Sequence, residues 1–339
     1  MLPLLASSVL LAVGPVAQRG ASDPSAASTP SSGGEAPTVQ AVDRGSLSPS
    51  ATFLLSNDRF HDDPTLLWDG FLSGMRGFEH FYNPVGNPLY FETPFINTSA
   101  RFLYLRHAFD KNSQLRGGDL NVFALQARVA LTDRIAFIAT KDGYSLLDAG
   151  ALPESEGFND LAFGFKYAFW VDKKEDFVAT VGLRYNVEVG ARRILQGGVG
   201  EFSPLLSVAK GWDQFHVIAG FNPRIPVDGD KGNNIIQWDL HFDYEILPQD
   251  LPGFAPIFEV HGLHYLDNGT RTPLSVGGAD YTNLGSTDVS GSTVVWGGFG
   301  ARWKLTPNFS VGATYEIPFT NRRADIFGDR VTFDIEFTW

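Results

Sequence analysis

The chain has 339 residues, a formal net charge of -12, no cysteine, 36 glycines and 28 phenylalanines. The negative balance excludes a nucleic-acid partner, since a phosphate backbone is held by lysine and arginine. The missing cysteines exclude a disulfide framework and thiolate metal sites. Only 19% of residues are charged, and the surplus of aromatics and glycine fits strands and turns in one large all-β domain better than a helical bundle.

The first 17 residues, MLPLLASSVLLAVGPVA, form an apolar run of signal-peptide length, and residues 18–50 read as a disordered linker rich in Ser, Pro and Gly. No later stretch is long and apolar enough for a helical membrane span. In residues 51–96, Asp63 caps a segment with Pro64 at its first helical position, and Leu67, Phe71, Met75 and Phe78 share one side. This predicts a short amphipathic helix, weakened by Gly70, Gly74 and Gly77, in a plug-like or periplasmic segment.

From residue 97 to 339 the pattern changes to period two. In FNDLAFGFKYAFW, Leu161, Phe163, Phe165, Tyr167 and Phe169 share one face, opposite Asp160, Gly164 and Lys166. In IIQWDLHFDYEI, Ile236, Trp238, Leu240, Phe242 and Tyr244 alternate with Gln237, Asp239, His241, Asp243 and Glu245. About twelve such strands are predicted, near 98–109, 120–131, 135–143, 158–170, 177–189, 201–211, 215–225, 235–246, 254–265, 293–305, 309–319 and 330–339. Tilted membrane strands need about 9–11 residues, whereas soluble strands usually have five or six. The connections alternate long and short, as in outer-membrane barrels: DKNSQLRGG before TDR, residues 145–157 before VDKKED, residues 191–200 before WDQ. A soluble β-sandwich also alternates, but an open sheet this large would leave two exposed edges. The predicted fold is therefore an all-β, antiparallel transmembrane β-barrel of about twelve strands with a short N-terminal helical or plug-like segment.

GFNDLAFGFKYAF resembles the glycine-flanked strand motif of outer-membrane channels of the phenol-degradation meta-pathway transporter family, with Asn159 where that family usually has glycine. VTFDIEFTW resembles the carboxy-terminal β-signal of outer-membrane barrels. The resemblance implies a barrel in the cell outer membrane that passes small compounds, apolar ones among them, and it brings no catalytic residue with it. Outer-membrane lipid, a small-molecule solute and, through the C-terminal strand, the barrel assembly machinery are the expected partners. No cofactor is expected.

If the aromatic faces meet lipid, the opposite faces line the lumen. The earlier strands then offer Arg128, Lys141, Lys166 and Arg184, with Glu188 as an acidic exception. The later ones offer Asp239, Asp243, Glu259, Glu316 and Asp334, with Arg302 among them. Walls of opposite sign would set a transverse field across a narrow pore; alternatively the charges merely pair in a solvated lumen. A turn near Asp250 sets His241 opposite Glu259 and Asp239 opposite His261, either a ladder of His–carboxylate hydrogen bonds or a nitrogen and oxygen set that suits a metal. No metal site is assigned, and no serine accompanies these histidines as a barrel phospholipase would need, so the chain is not expected to be an enzyme. Twelve strands imply a backbone diameter of roughly 24 Å, with about 10 Å or less left open. The 266–292 loop is long enough to fold inward as a constriction. The function expected is passive passage of small molecules, apolar or aromatic compounds among them. The alternative is a structural or adhesive barrel with a blocked lumen whose long loops bind partners.

Overall fold

The computed structural model describes residues 70–320 and 325–339. The predicted signal peptide, the linker and the first part of the 51–96 segment, including Asp63, Pro64 and Leu67, lie outside the described residues.

The described chain forms fourteen strands: β1 (Ser99–Ala108), β2 (Gly118–Ala130), β3 (Ile135–Lys141), β4 (Tyr144–Ala149), β5 (Ser155–Phe158), β6 (Leu161–Asp172), β7 (Phe177–Val187), β8 (Glu201–Trp212), β9 (Phe215–Pro226), β10 (Ile235–Tyr244), β11 (Phe254–Tyr265), β12 (Thr293–Thr306), β13 (Phe309–Pro318) and β14 (Asp329–Thr338). β3 and β4 both pair with β2 and are halves of one stave; β5 and β6, paired with β4 and β3, are halves of the next. The result is a twelve-stave antiparallel barrel closed by β1 on β14. Closure follows from the solvent, because an unpaired edge in lipid would leave backbone groups unsatisfied at several kcal/mol each.

The period-two pattern resolves as predicted. In β6, Phe163, Phe165 and Tyr167 are exposed on the outer surface while Lys166 is buried inside. A register shift between Ala168 and Trp170 turns the consecutive Phe169 and Trp170 outward together. Aromatic pairs gather at the short-turn end: Trp170 with Phe177 at 5.4 Å, Trp212 with Phe215 at 6.0 Å, Phe254 with Trp303 at 6.3 Å, and Phe337 with Trp339 at 4.7 Å. Amphipathic rings collect at the interface of a membrane, and an apolar band bounded by such a girdle is a lipid-facing surface.

The seam places Ser99 opposite Thr338 and Leu105 opposite Thr332, and Trp339 N donates to Thr98 O at 3.0 Å. A chain ending at Thr338 should lose about 1–2 kcal/mol of stability, one backbone bond and one aromatic pair. Urea titration of the barrel folded in vesicles measures this, and an unchanged midpoint would remove the last residue from the seam.

Two sequence expectations are corrected. Residues 71–78 are irregular, with a turn at 70–72 and a bend at 76–77, and no α-helix occurs among the described residues. Gly70, Leu72, Arg76 and Gly77 all have positive φ, which a right-handed helix cannot contain. The backbone groups bond elsewhere: Leu72 N donates to Ala130 O at 2.9 Å, and Ser73 O accepts from Thr98 N at 2.7 Å. The expected 145–157 loop is also mostly strand, because β2 extends to Gly118 and β4 pairs along its whole first half.

Candidate functional site

The barrel interior is where most of the charged side chains named from the sequence meet. Arg128, Lys141, Lys166, Arg184, Asp239, His241, Asp243, Glu259, His261, Arg302, Glu316 and Asp334 are all buried. Glu188 is not. It lies one residue past the end of β7 and is exposed, because the alternation that would turn it inward ends with the strand at Val187.

What these residues touch is the run of chain before β1. Residues 81–97 include three prolines, Pro84, Pro88 and Pro94, which disfavour a helix; the chain runs irregularly, with one turn in which Tyr90 N and Phe91 N donate to Asn87 O at 3.2 and 3.0 Å. Its backbone therefore has no ladder of its own, and its polar groups bond inward-facing side chains of the staves. Pro88 O accepts from Gln126 at 2.6 Å, Leu89 O from Arg184 at 3.2 Å, Glu92 O from Ser207 at 2.7 Å and Pro94 O from Thr180 at 2.6 Å. On the other side, Asn83 O accepts from Arg302 at 2.7 Å, and Asn83 Nδ2 donates to Glu336 at 2.9 Å. Together with contacts to β1, β10, β11 and β13, these bonds reach round most of the barrel wall.

Two anchors dominate. Glu92, buried, accepts from Arg128 Nε and Nη2, both at 2.8 Å, and from Lys166 Nζ at 2.7 Å. Burial opposes its charge, but the two cations prevail and hold its carboxyl at about 2. Opposite, Glu259 accepts from the backbone N–H of Val85 at 2.9 Å and of Gly86 at 2.6 Å. Gly86 is required by this approach: a Cβ there would stand 2.4 Å from Glu259 Oε2 and 2.9 Å from His261 Nε2.

Glu259 belongs to a chain of alternating imidazoles and carboxylates. β10 and β11 pair His241 with Glu259 and Asp239 with His261, the register that the turn near Asp250 predicts. His216 Nδ1 lies 2.5 Å from Asp243 Oδ1, His241 Nε2 lies 3.1 Å from Asp243 Oδ2, and His241 Nδ1 lies 2.8 Å from Glu259 Oε1. His261 Nδ1 lies 2.8 Å from Asp239 Oδ1, whose other close partner, Asn87 Nδ2, comes from the inner segment at 2.5 Å. These are successive pairwise hydrogen bonds, and among the described residues no three His, Asp or Glu side chains converge as a metal ion needs.

Most of the remaining charges are paired too, whereas Arg184 lies over the Tyr90 ring at 4.5 Å and donates to Leu89 O and Thr140 Oγ1. Asp334 bonds Arg302 at 2.7 Å and also Arg101. Glu316 binds Arg330 at 2.8 Å, and Arg330 in turn holds Asp280 of the 266–292 loop at 2.8 Å. Arg330 holds the Asp280 carboxyl below its usual range although burial pushes the other way. The same loop is tied down by Arg224 on Ala279 O at 3.0 Å and by Gln196 on Tyr281 O at 3.0 Å. Lys141 pairs with Asp160 at 3.7 Å.

Sequence reasoning did not single out Glu92, Glu201 and Arg224. Glu201 and Arg224, 3.0 Å apart, share inward parity with Ser203 and Asn222 on their strands, and that signal was present. Glu92 carried a weaker one, a lone acid in a proline-framed run.

No protein-family model matches the chain, and no curated protein does. Among solved structures, an outer-membrane channel from Pseudomonas putida F1 is similar at a TM-score of 0.51 and 11% identity, over 76% of this chain and 100% of that one. The NanC porin gives 0.41 at 12% identity, over 71% and 98%, and the KdgM porin in complex with disordered oligogalacturonate gives 0.41 at 11%, over 71% and 99%. The first likeness is one of fold, and a closed barrel with a girdled apolar outer surface is an outer-membrane protein.

Proposed function

We propose that the barrel is a passive channel for small molecules, narrowed by residues 81–97 acting as a plug. The observation that carries this reading is the bonding of that segment: it is held to staves round most of the wall by bonds from their side chains to its backbone and to Glu92, not by pairing with any strand. Such a segment can leave without dismantling any strand pairing. With it out, Arg128, Lys166 and Arg184 would face Asp239, Asp243 and Glu259 across the bore, a transverse field that selects among polar solutes. The 266–292 loop, tied down at Asp280, narrows the opposite end. Resemblance to the phenol-degradation family motif favours apolar or aromatic compounds as solutes, and the C-terminal strand fits recognition by the barrel assembly machinery.

The rival reading is a structural or adhesive barrel whose lumen stays blocked. It is favoured by the ion pairs that hold the inner segment, Arg128 and Lys166 on Glu92, and by the pair of Arg302 with Asp334 beside it. Single-channel recording separates the two. A channel gives stable steps that grow when residues 51–96 are deleted; silence from both the full chain and the deletion, each verified as folded, selects the rival.

A further inference from the structure

The long-loop end holds a cavity of about 810 Å3 to which six connections contribute: those after β1, β4, β7, β9 and β11, and the one before β14. Its size falls within the range of small-molecule sites. Leu115, Leu195, Leu274 and Val276 give it an aliphatic wall. Among the described residues, the charged ones that line it are Arg192, Lys231 and Arg271, and no aspartate or glutamate does. In a chain of net charge -12 such a wall is not an average sample of the surface.

Arg271 is the built element. Its Nε donates to Leu284 O at 3.1 Å and its Nη2 to Asn283 O, which fixes the guanidinium plane. Gly198 lets the group lie flat: a Cβ there would meet Nη1 at 2.1 Å. Nη1 itself is shielded from water and has no acceptor. Burial, with Arg192 beside it, weakens this group's hold on its proton, the mark of a cation short of a counter-ion. The acids within electrostatic reach are otherwise placed: Glu201 is taken by Arg224 and Asn283, Asp160 by Lys141 and the Gly190 and Gly197 amides, and Glu188 lies outside the lining. Arg192 is exposed and Lys231 holds only Asp228 at the surface.

We propose that this cavity binds a small amphipathic carboxylate, its head against Arg271 with Arg192 and Lys231 nearby and its apolar body along the Leu115, Leu195 and Leu274 wall. A carboxylate matches guanidinium geometry and supplies charge-assisted acceptors, while the aliphatic wall rejects a fully hydrated ion. The inference rests on the channel reading in that the bound molecule is the solute at the entrance, but the binding requires no conduction.

The test is calorimetric titration of the full chain in lipid nanodiscs with 4-phenylbutyrate, 4-phenylbutan-1-ol and acetate. The carboxylate should bind roughly tenfold or more tighter than the alcohol, which lacks the charge, and than acetate, which lacks the apolar body. Arg271→Gln should abolish that preference. Because Arg271 also braces its loop, Arg192→Gln, which breaks no structural bond, is the second variant and should weaken phenylbutyrate alone. Equal binding of acid and alcohol, equal binding of acetate, or a preference that survives both substitutions would overturn the proposal. A protein that binds but never conducts keeps this site and removes the channel reading; one that conducts with no carboxylate preference does the reverse.

Discussion

Glu92→Ala is expected to give single-channel steps several-fold larger than the parent protein, with the barrel still folded. The substitution leaves Arg128 and Lys166 buried without their shared acid, and breaking a buried pair from one side costs about 3–5 kcal/mol. The cheapest relief is for the segment to withdraw so that water reaches the two cations, since no strand pairing depends on it. The pH dependence has a definite sign. Glu92 is held at about 2, below its ordinary value of 4.5, so its stabilisation is complete above 4.5 and is lost as pH falls through 2. That difference corresponds to about 3 kcal/mol. Glu92→Gln, which removes the charge but keeps an acceptor, should open partway and lose this acid-dependent step. Heat-modifiable migration on a gel verifies folding; a folded Glu92→Ala barrel with unchanged conductance would mean that this anchor does not close the bore.

Phe165→Arg should destabilise the barrel in a bilayer by about 2–4 kcal/mol, the cost of a cation on the lipid face near the midplane. Phe165 is 54% exposed at the middle of its stave, with the Phe137 ring at 5.5 Å on the neighbouring strand and Leu183 opposite on the other side. Trp170→Arg, in the girdle, should cost only about 0–1 kcal/mol, because an arginine there reaches the headgroups. Both are read from denaturant titration of protein folded into vesicles. Equal costs at the two positions would mean that this face does not span a membrane.

Reading the chain in order located all twelve staves within a few residues, because a membrane strand writes its two environments into alternate positions. Phe163, Phe165 and Tyr167 against Gly164 and Lys166 already distinguish lipid from lumen. The same periodicity predicted the closing pair and the His241–Glu259 register, since hairpin pairing is fixed once the turn is located. It did not reveal the bulge at Phe169, the break that divides β3 from β4, or the strand in place of the 145–157 loop, since each depends on what the neighbouring stave offers.

The inner segment marks the boundary between the two kinds of information. Sequence by itself determined a closed antiparallel barrel with an apolar outside and an ionisable inside, because parity, strand length and loop alternation are local properties. Only the tertiary structure decided that Glu92 answers Arg128 and Lys166, that Glu259 grips the Val85 and Gly86 amides, and that Arg271 comes to share a cavity with Arg192 and Lys231. Those partners stand tens to hundreds of positions apart, and pairing by charge and backbone amide has no period. It depends on which groups barrel closure brings within reach inside a volume too small to leave any of them hydrated.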